Sequence, residues 1–136
     1  ASDELIVVTT PDLPTLGTTM KAVKLARKRG ANISGLVLNK VHKKNYEVSL
    51  EDIEETLELP VLAVIPNDIS VLKALSEFQP STNHNPKSRA SDEYMRLAST
   101  LVGEKYNESR MRKIAGWISP TKQEVNRTIF YESLFE

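Results

Sequence analysis

Three short polar clusters interrupt apolar runs along this chain: Thr9-Thr10-Pro11-Asp12 after Leu5–Val8, Asn39-Lys40 after Ile33–Leu38, and Pro66-Asn67-Asp68 after Val61–Ile65. If each run is a strand of an open parallel sheet, the clusters sit outside the carboxyl ends, where such sheets hold their ligands. The chemistry on offer there is binding rather than bond-making. His42 and His84 lie far apart, one beside a lysine pair and one in a polar stretch, so their spacing supplies no partner for metal ligation or proton transfer. Both read as exposed loop histidines. Ser49, Ser88, Ser91 and Ser119 are accounted for as helix caps. Cysteine is absent, which excludes thiol nucleophiles, sulfur-ligated metals and a disulfide-stapled secreted scaffold. The glycines, at 17, 30, 35, 103 and 116, are too dispersed to build a phosphate cradle, and no Gly-x-x-x-x-Gly-Lys-Ser/Thr occurs.

The elements that must position these clusters follow from the apolar spacing. Leu5–Thr9 is β-branched without alternation, which suits a strand buried on both faces of a parallel sheet. After Pro14, apolar residues at Leu16, Met20, Val23, Leu25 and Ala26 follow helical spacing, and basic Arg27-Lys28-Arg29 precedes the stop at Gly30. Ile33–Leu38 then gives a second strand, so the opening stretch reads as a right-handed βαβ unit. Ser49-Leu50-Glu51-Asp52 resembles a capping box for a short acidic helix with Leu50, Ile53 and Leu57 on its apolar face, closed by Pro60. Val61–Ile65 is the third strand, and 69–78 a helix whose apolar stripe is Val71, Leu72, Leu75 and Phe78. Residues 79–87 read as a loop. Ser88 or Ser91 caps a last body helix with Tyr94, Leu97, Ala98, Leu101 and Val102 as its core face.

Taken together, Asp3–Asp12, Gly35-Leu36-Val37-Leu38-Asn39-Lys40-Val41 and Leu59–Asp68 resemble the second half of the MinD/ParA-type P-loop ATPases, in particular the archaeal MinD-like branch. The likeness covers roughly residues 1–104, with the three phrases in the family's order and at its intervals. It implies an α/β fold of three or more parallel strands with helices on both faces, the C-terminal half of a P-loop ATPase. It also implies ATP-dependent dimerisation and a cycle on a membrane, DNA or protein scaffold that positions other machinery, such as that of cell division or chromosome partition.

In that family the asparagine ending the second of these strands hydrogen-bonds adenine, and the proline after the next strand packs on the base. Those roles fall on Asn39 and Pro66, with Lys40, Asn67 and Asp68 beside them. The chemistry agrees: an amide offers donor and acceptor to a base edge, and proline gives a rigid apolar wall. Two positions depart from the pattern. Lys40 stands where arginine is common and stacks less well on a base, and Asn67 stands where an acidic residue commonly follows the proline. The phosphate loop and the aspartates that hold magnesium and polarise water lie, in the family, upstream of Ala1. The parent is therefore expected to use ATP/ADP with Mg2+ and convert ATP and water to ADP and phosphate, whereas this stretch alone is expected to be inactive and to hold no metal. A non-catalytic interaction module derived from such an ATPase is the alternative, and an iron-sulfur carrier of the related Mrp type is disfavoured by the missing cysteines.

The same resemblance places Thr10, Pro11, Asp12, Thr15 and Thr18 near a dimer or partner face. The expected partners are a second copy or a complementing N-terminal half, and a regulatory or cargo protein. Lys21, Lys24 and Lys28 make a basic face, but no aromatics are interleaved with it, and DNA is not expected. Residues 105–136 read as an amphipathic helical tail: Ile114, Trp117 and Ile118, then Ile129, Phe130, Leu134 and Phe135, supply apolar faces for a membrane surface or for docking. Glu124, Glu132 and Glu136 oppose anionic lipid.

With 136 residues, 40% hydrophobic, the chain is long enough for one modest domain. Its formal net charge is zero, so no global field favours a polyanion. Charge is instead segregated: Lys21, Lys24, Arg27, Lys28, Arg29, Lys40, Lys43 and Lys44 are followed by Glu47, Glu51, Asp52, Glu54, Glu55 and Glu58. No apolar run reaches the roughly 18 residues of a spanning helix, and a cytoplasmic protein, with peripheral membrane contact through the tail, is expected. The chain opens without methionine directly on an apolar strand, which reads as a fragment or a processed chain.

Overall fold

The computed structural model of the protein describes residues 4–103. The chain divides between Asp68 and Ile69 into two compact units; the boundary expected at 104/105 falls at the edge of the described residues, and the tail lies outside them.

The first unit begins with β1 (Leu5–Thr9), followed by α1 (Leu13–Lys28). Asp12 caps α1 by accepting the Thr15 N–H at 2.9 Å, Pro14 sits in the first turn where no N–H is needed, and Arg27 and Lys28 occupy the last turn. β2 (Ile33–Val41), α2 (Leu50–Leu57) and β3 (Val61–Pro66) complete the unit. Ser49 accepts the Asp52 N–H at 3.1 Å and donates its hydroxyl to the Asp52 carboxylate at 2.6 Å, so the expected cap at the start of α2 is formed. Arg27 ties the two helices together. Its guanidinium donates to the Leu57 and Glu58 carbonyls at 3.3 and 2.9 Å and pairs with the Glu58 carboxylate at 3.0 Å, placing a cation on the negative end of α2.

The three strands are parallel in the order β1-β2-β3, with Thr9 opposite Leu38, Leu38 opposite Val64 and Val41 opposite Pro66. One face carries the core: Leu16 and Val23 of α1, Leu36 and Leu38 of β2, Ile53 and Leu57 of α2, and Val61 and Val64 of β3, with Leu59. Each such burial contributes about 1.5–3 kcal/mol relative to exposure. At Gly35 a Cβ would lie 2.7 Å from both Leu62 Cγ and the Pro60 carbonyl oxygen, so only glycine lets β2 approach the start of β3 this closely. On the opposite face Val8, Val37 and Ala63 form one cross-strand row whose exposure is 61%, 5% and 1%. The expectation that β1 is buried on both faces is therefore corrected for the described residues: among them it is an edge strand, with Val8 exposed and Ile6 half-buried on the face away from α1.

The second unit, described from 69 to 103, contains α3 (Ile69–Ser76), a single helical turn α4 (Ser81–His84) within the expected loop, and α5 (Arg89–Leu101). α4 packs against both α3 and α5. The joint is polar: Ser88 caps α5 through the Ser91 N–H at 3.1 Å, and fully buried Ser91 donates to the Ser81 carbonyl at 2.9 Å. Accordingly α5 buries Ala90, Ser91 and Glu93 at its start, while Tyr94 and Leu97 are only half-buried and Ala98, Leu101 and Val102 are exposed, contrary to the apolar spacing. α3 departs further from expectation. It buries Ser70 and Ala74, and its apolar stripe faces outward. The helix ends before Phe78, which takes the left-handed conformation at φ 54° in the position after the helix usually held by glycine.

Candidate nucleotide-base site

The three polar clusters all belong to the first unit and lie at one edge of its sheet, because parallel strands present their carboxyl ends together. β2 is longer than its apolar run suggested. It continues through Asn39 and Lys40 to Val41, and these two polar residues form a bulge: three steps from Leu38 to Val41 face two steps from Val64 to Pro66. Lys40 adopts φ 56° and is exposed, while the Asn39 Oδ1 accepts the Lys40 N–H at 2.9 Å. One acceptor lone pair of the amide is thereby engaged, and its donor group is not needed for this turn. The pair resumes at Val41, whose carbonyl accepts the Asn67 N–H at 2.9 Å. Register alone thus brings the Asn39-Lys40 bulge beside Pro66-Asn67. Pro66 is half-buried and Asn67 exposed, an apolar wall flanked by polar groups.

The β1–α1 corner is the neighbouring part of the same edge. Pro11 is buried and its carbonyl accepts the Val48 N–H at 3.0 Å, anchoring the corner to the segment before α2. Asp12 accepts from the Thr10 hydroxyl as well as from the Thr15 N–H, and the Thr10 hydroxyl and these helix-start donors hold its carboxyl below the ordinary value. Behind it, buried Thr9 and Thr19 share a hydroxyl contact of 2.8 Å, and Thr19 donates to the Thr15 carbonyl at 2.9 Å, which leaves Thr9 as donor to Thr19. Thr18 is exposed and bonds only its own helix, at the Pro14 carbonyl.

Two residues carry more of this edge than their sequence context signalled. Val41 supplies the carbonyl that fixes Asn67; the resumption of apolar character after Asn39-Lys40 was its only sign. Glu47 organises the segment after β2, accepting the His42 N–H at 2.8 Å, the His42 ring Nδ1 at 3.2 Å and the Lys44 N–H at 3.2 Å. Burial alone would raise this carboxyl, but the converging donors outweigh it and hold it below the ordinary value. His42 is an exposed loop residue, as expected, and pairs with Glu47, whereas His84 is corrected: it lies on α4 with a side chain only 22% exposed, 3.2 Å from Glu77. Among the described residues no group of three His, Asp or Glu is arranged to hold a metal ion. Nor is any described helix long and apolar enough to cross a membrane. The candidate tail residues Ile114, Trp117, Ile118, Ile129, Phe130, Leu134 and Phe135 lie outside the described residues.

Comparison with known proteins places this geometry in context. The AAA domain family model matches residues 3–74. An uncharacterised ATP-binding protein of Methanocaldococcus jannaschii is 32% identical over 119 residues, 88% of this chain and 45% of the relative. The cell division ATPase MinD of Pyrococcus furiosus superposes with a TM-score of 0.69 at 31% identity, over 74% of this chain and 43% of that one. The septum site-determining protein MinD of Pyrococcus horikoshii, solved with Mg-ADP, superposes with a TM-score of 0.68 at 27% identity, over 88% of this chain and 45% of that one. The chain spans less than half the length of the relatives it matches.

Proposed function

The chain belongs to the MinD/ParA-type P-loop ATPases, and from that membership we propose that residues 1–104 form the base-side half of an ATP site in a protein that positions or partitions cellular machinery. The observation that carries the reading is the β2 bulge held beside Pro66 by the Val41–Asn67 bond, which sets an amide and an apolar ring at adjoining strand ends. In this reading Asn39 hydrogen-bonds adenine, Pro66 packs on it, and Lys40, Asn67 and Asp68 line its rim. Phosphate and Mg2+ chemistry, with conversion of ATP and water to ADP and phosphate, belongs to the parent protein; the solved relative with Mg-ADP supports a magnesium nucleotide as its ligand.

The remaining assignments have the same footing. Thr10, Pro11, Asp12, Thr15 and Thr18 form a face for a second copy, a complementing N-terminal half, or a regulatory or cargo protein. The exposed Val8 and the free edge of β1 suit further strands of the same sheet. The protein works in the cytoplasm, with the tail as its contact to a membrane surface or to another chain.

Titration of the chain with adenosine and with ATP and magnesium, followed by NMR, tests the site. Shifts confined to Asn39, Lys40 and 66–68, of similar affinity for both ligands and lost in Asn39→Ala, are expected. ATP binding that is far tighter than adenosine binding and requires magnesium would show a phosphate site in this chain and sink the half-site reading.

A further inference from the structure

The peptide group between Val41 and His42 is bound on both sides. Its carbonyl accepts the Asn67 N–H at 2.9 Å, and its N–H donates to Glu47 Oε1 at 2.8 Å. An ionised acceptor at the N–H end shifts charge toward the carbonyl oxygen, so the bond to Asn67 is stronger with Glu47 in place than without it. The strand-end site depends on this peptide. Val41 is the residue at which β2 rejoins β3 after the Asn39-Lys40 bulge, opposite Pro66, and β2 ends there. The last bridge of a strand pair opens most readily, and left-handed Lys40 just before it adds strain that opening would relieve.

Glu47 is itself held firmly in place. Its side chain is only 9% exposed; Oε2 accepts the Lys44 N–H at 3.2 Å, and Oε1 also meets the His42 ring Nδ1 at 3.2 Å. The Glu47 N–H donates to the Lys44 carbonyl at 3.1 Å, and the next residue, Val48, donates to the Pro11 carbonyl at 3.0 Å and packs against the core. Residues 42–48 thus form a strap, anchored at the β1–α1 corner, that returns a carboxylate to the strand end from which the chain departed. Glu47 is the one acid between residues 40 and 48, and it turns inward onto backbone N–H groups while Lys40, Lys43 and Lys44 are exposed. We infer that Glu47 is a positioning residue of the base site: through the Val41–His42 peptide it holds the end of β2 against β3 and so keeps Asn39 beside Pro66 for an adenine base. The inference rests on the reading of Asn39 and Pro66 as the base contacts. Glu47 acts on binding only through the backbone.

Adenosine titrations of the full chain by NMR, at a temperature where every variant is folded, test it with Glu47→Ala, Glu47→Gln and, as a control that loses stability away from the strand end, Thr19→Val. Adenosine binds Glu47→Ala about tenfold more weakly than wild type, the size of one hydrogen bond to a charged group. Glu47→Gln falls between the two, because its amide oxygen still accepts the His42 N–H but carries no charge. Thr19→Val keeps the wild-type affinity. Before any ligand is added, the Asn67 amide proton moves upfield in Glu47→Ala as its bond to Val41 weakens, while the Leu36 amide, bonded to the Pro60 carbonyl at the other end of the same strand pair, stays in place. A residue that merely stabilised the fold would lower the melting midpoint and leave both the affinity and the Asn67 amide unmoved. Unchanged adenosine affinity in Glu47→Ala, an unmoved Asn67 amide, or an equal loss of affinity in Thr19→Val overturns the inference and leaves Asn39 and Pro66 as the contacts. A wild type that binds no adenosine overturns the base-site reading, and this inference with it.

Discussion

The backbone N–H of Asn67 donates to the Val41 carbonyl at 2.9 Å, closing the β2–β3 pair on the far side of the Asn39-Lys40 bulge. The bond fixes where the bulge ends, and so requires Lys40 to take φ 56°. A left-handed non-glycine residue costs about 1–2 kcal/mol, against about 0.4–1 kcal/mol for the freer unfolded chain that glycine brings. Lys40→Gly is therefore expected to raise the unfolding free energy by about 0.5–1 kcal/mol in urea melts, while β-branched Lys40→Val lowers it. The Asn39–Lys40 backbone bond survives in both. A neutral or destabilised glycine variant would contradict the strain assigned to this position.

Gly35 sits at the other irregular point of β2. An added methyl would lie 2.7 Å from the Pro60 carbonyl, the same oxygen that accepts the Leu36 N–H at 2.8 Å. Backbone cannot move aside as a flexible side chain can. Gly35→Ala should cost about 1–3 kcal/mol through forced displacement, read as a lower urea midpoint with an unchanged slope. A wild-type midpoint would show that the strands separate without penalty.

The strands and the three polar clusters were legible because buried parallel strands are continuous apolar runs bounded by proline and polar residues, as at Val61–Pro66. The caps at Ser49 and Ser88 were legible because their side chains act within three residues of themselves. The bulge at Asn39-Lys40 was not, since it depends on the register of β3. The orientation of α3 was not either: helical spacing shows that Leu72, Leu75 and Phe78 share a side, but not whether that side or the one with Ser70 and Ala74 meets the rest of the unit. Histidine pairing failed for a related reason, as Glu47 and Glu77 reach His42 and His84 only once the loops close.

The Thr9–Thr19–Thr15 chain of hydroxyl bonds secures the β1–α1 corner from inside. Thr19→Val removes the acceptor of the Thr9 hydroxyl, and Thr9 is only 3% exposed, so water does not replace it. A stranded buried donor costs about 1–3 kcal/mol. Replacing both threonines by valine removes donor and acceptor together and should recover most of that loss. A double-mutant cycle from urea melts measures the coupling; additive single effects would show that the two hydroxyls act independently.

The carboxyl of Glu47 gives the fold a pH dependence of definite sign. Burial opposes its ionisation, but the His42 and Lys44 N–H groups and the His42 ring outweigh it, so the folded value lies below the ordinary glutamate value of 4.5. A group depressed on folding contributes stability that is present above its unfolded pKa and lost as pH falls through the folded one. Stability should thus decline as the solution is acidified from the ordinary carboxyl range downward. Glu47→Gln keeps the shape but replaces a charged acceptor with a neutral one, which weakens the bonds to His42 and Lys44. It should lower the midpoint at neutral pH and flatten the acid limb of the profile relative to wild type. Parallel acid limbs for the two proteins would place the titrating group elsewhere.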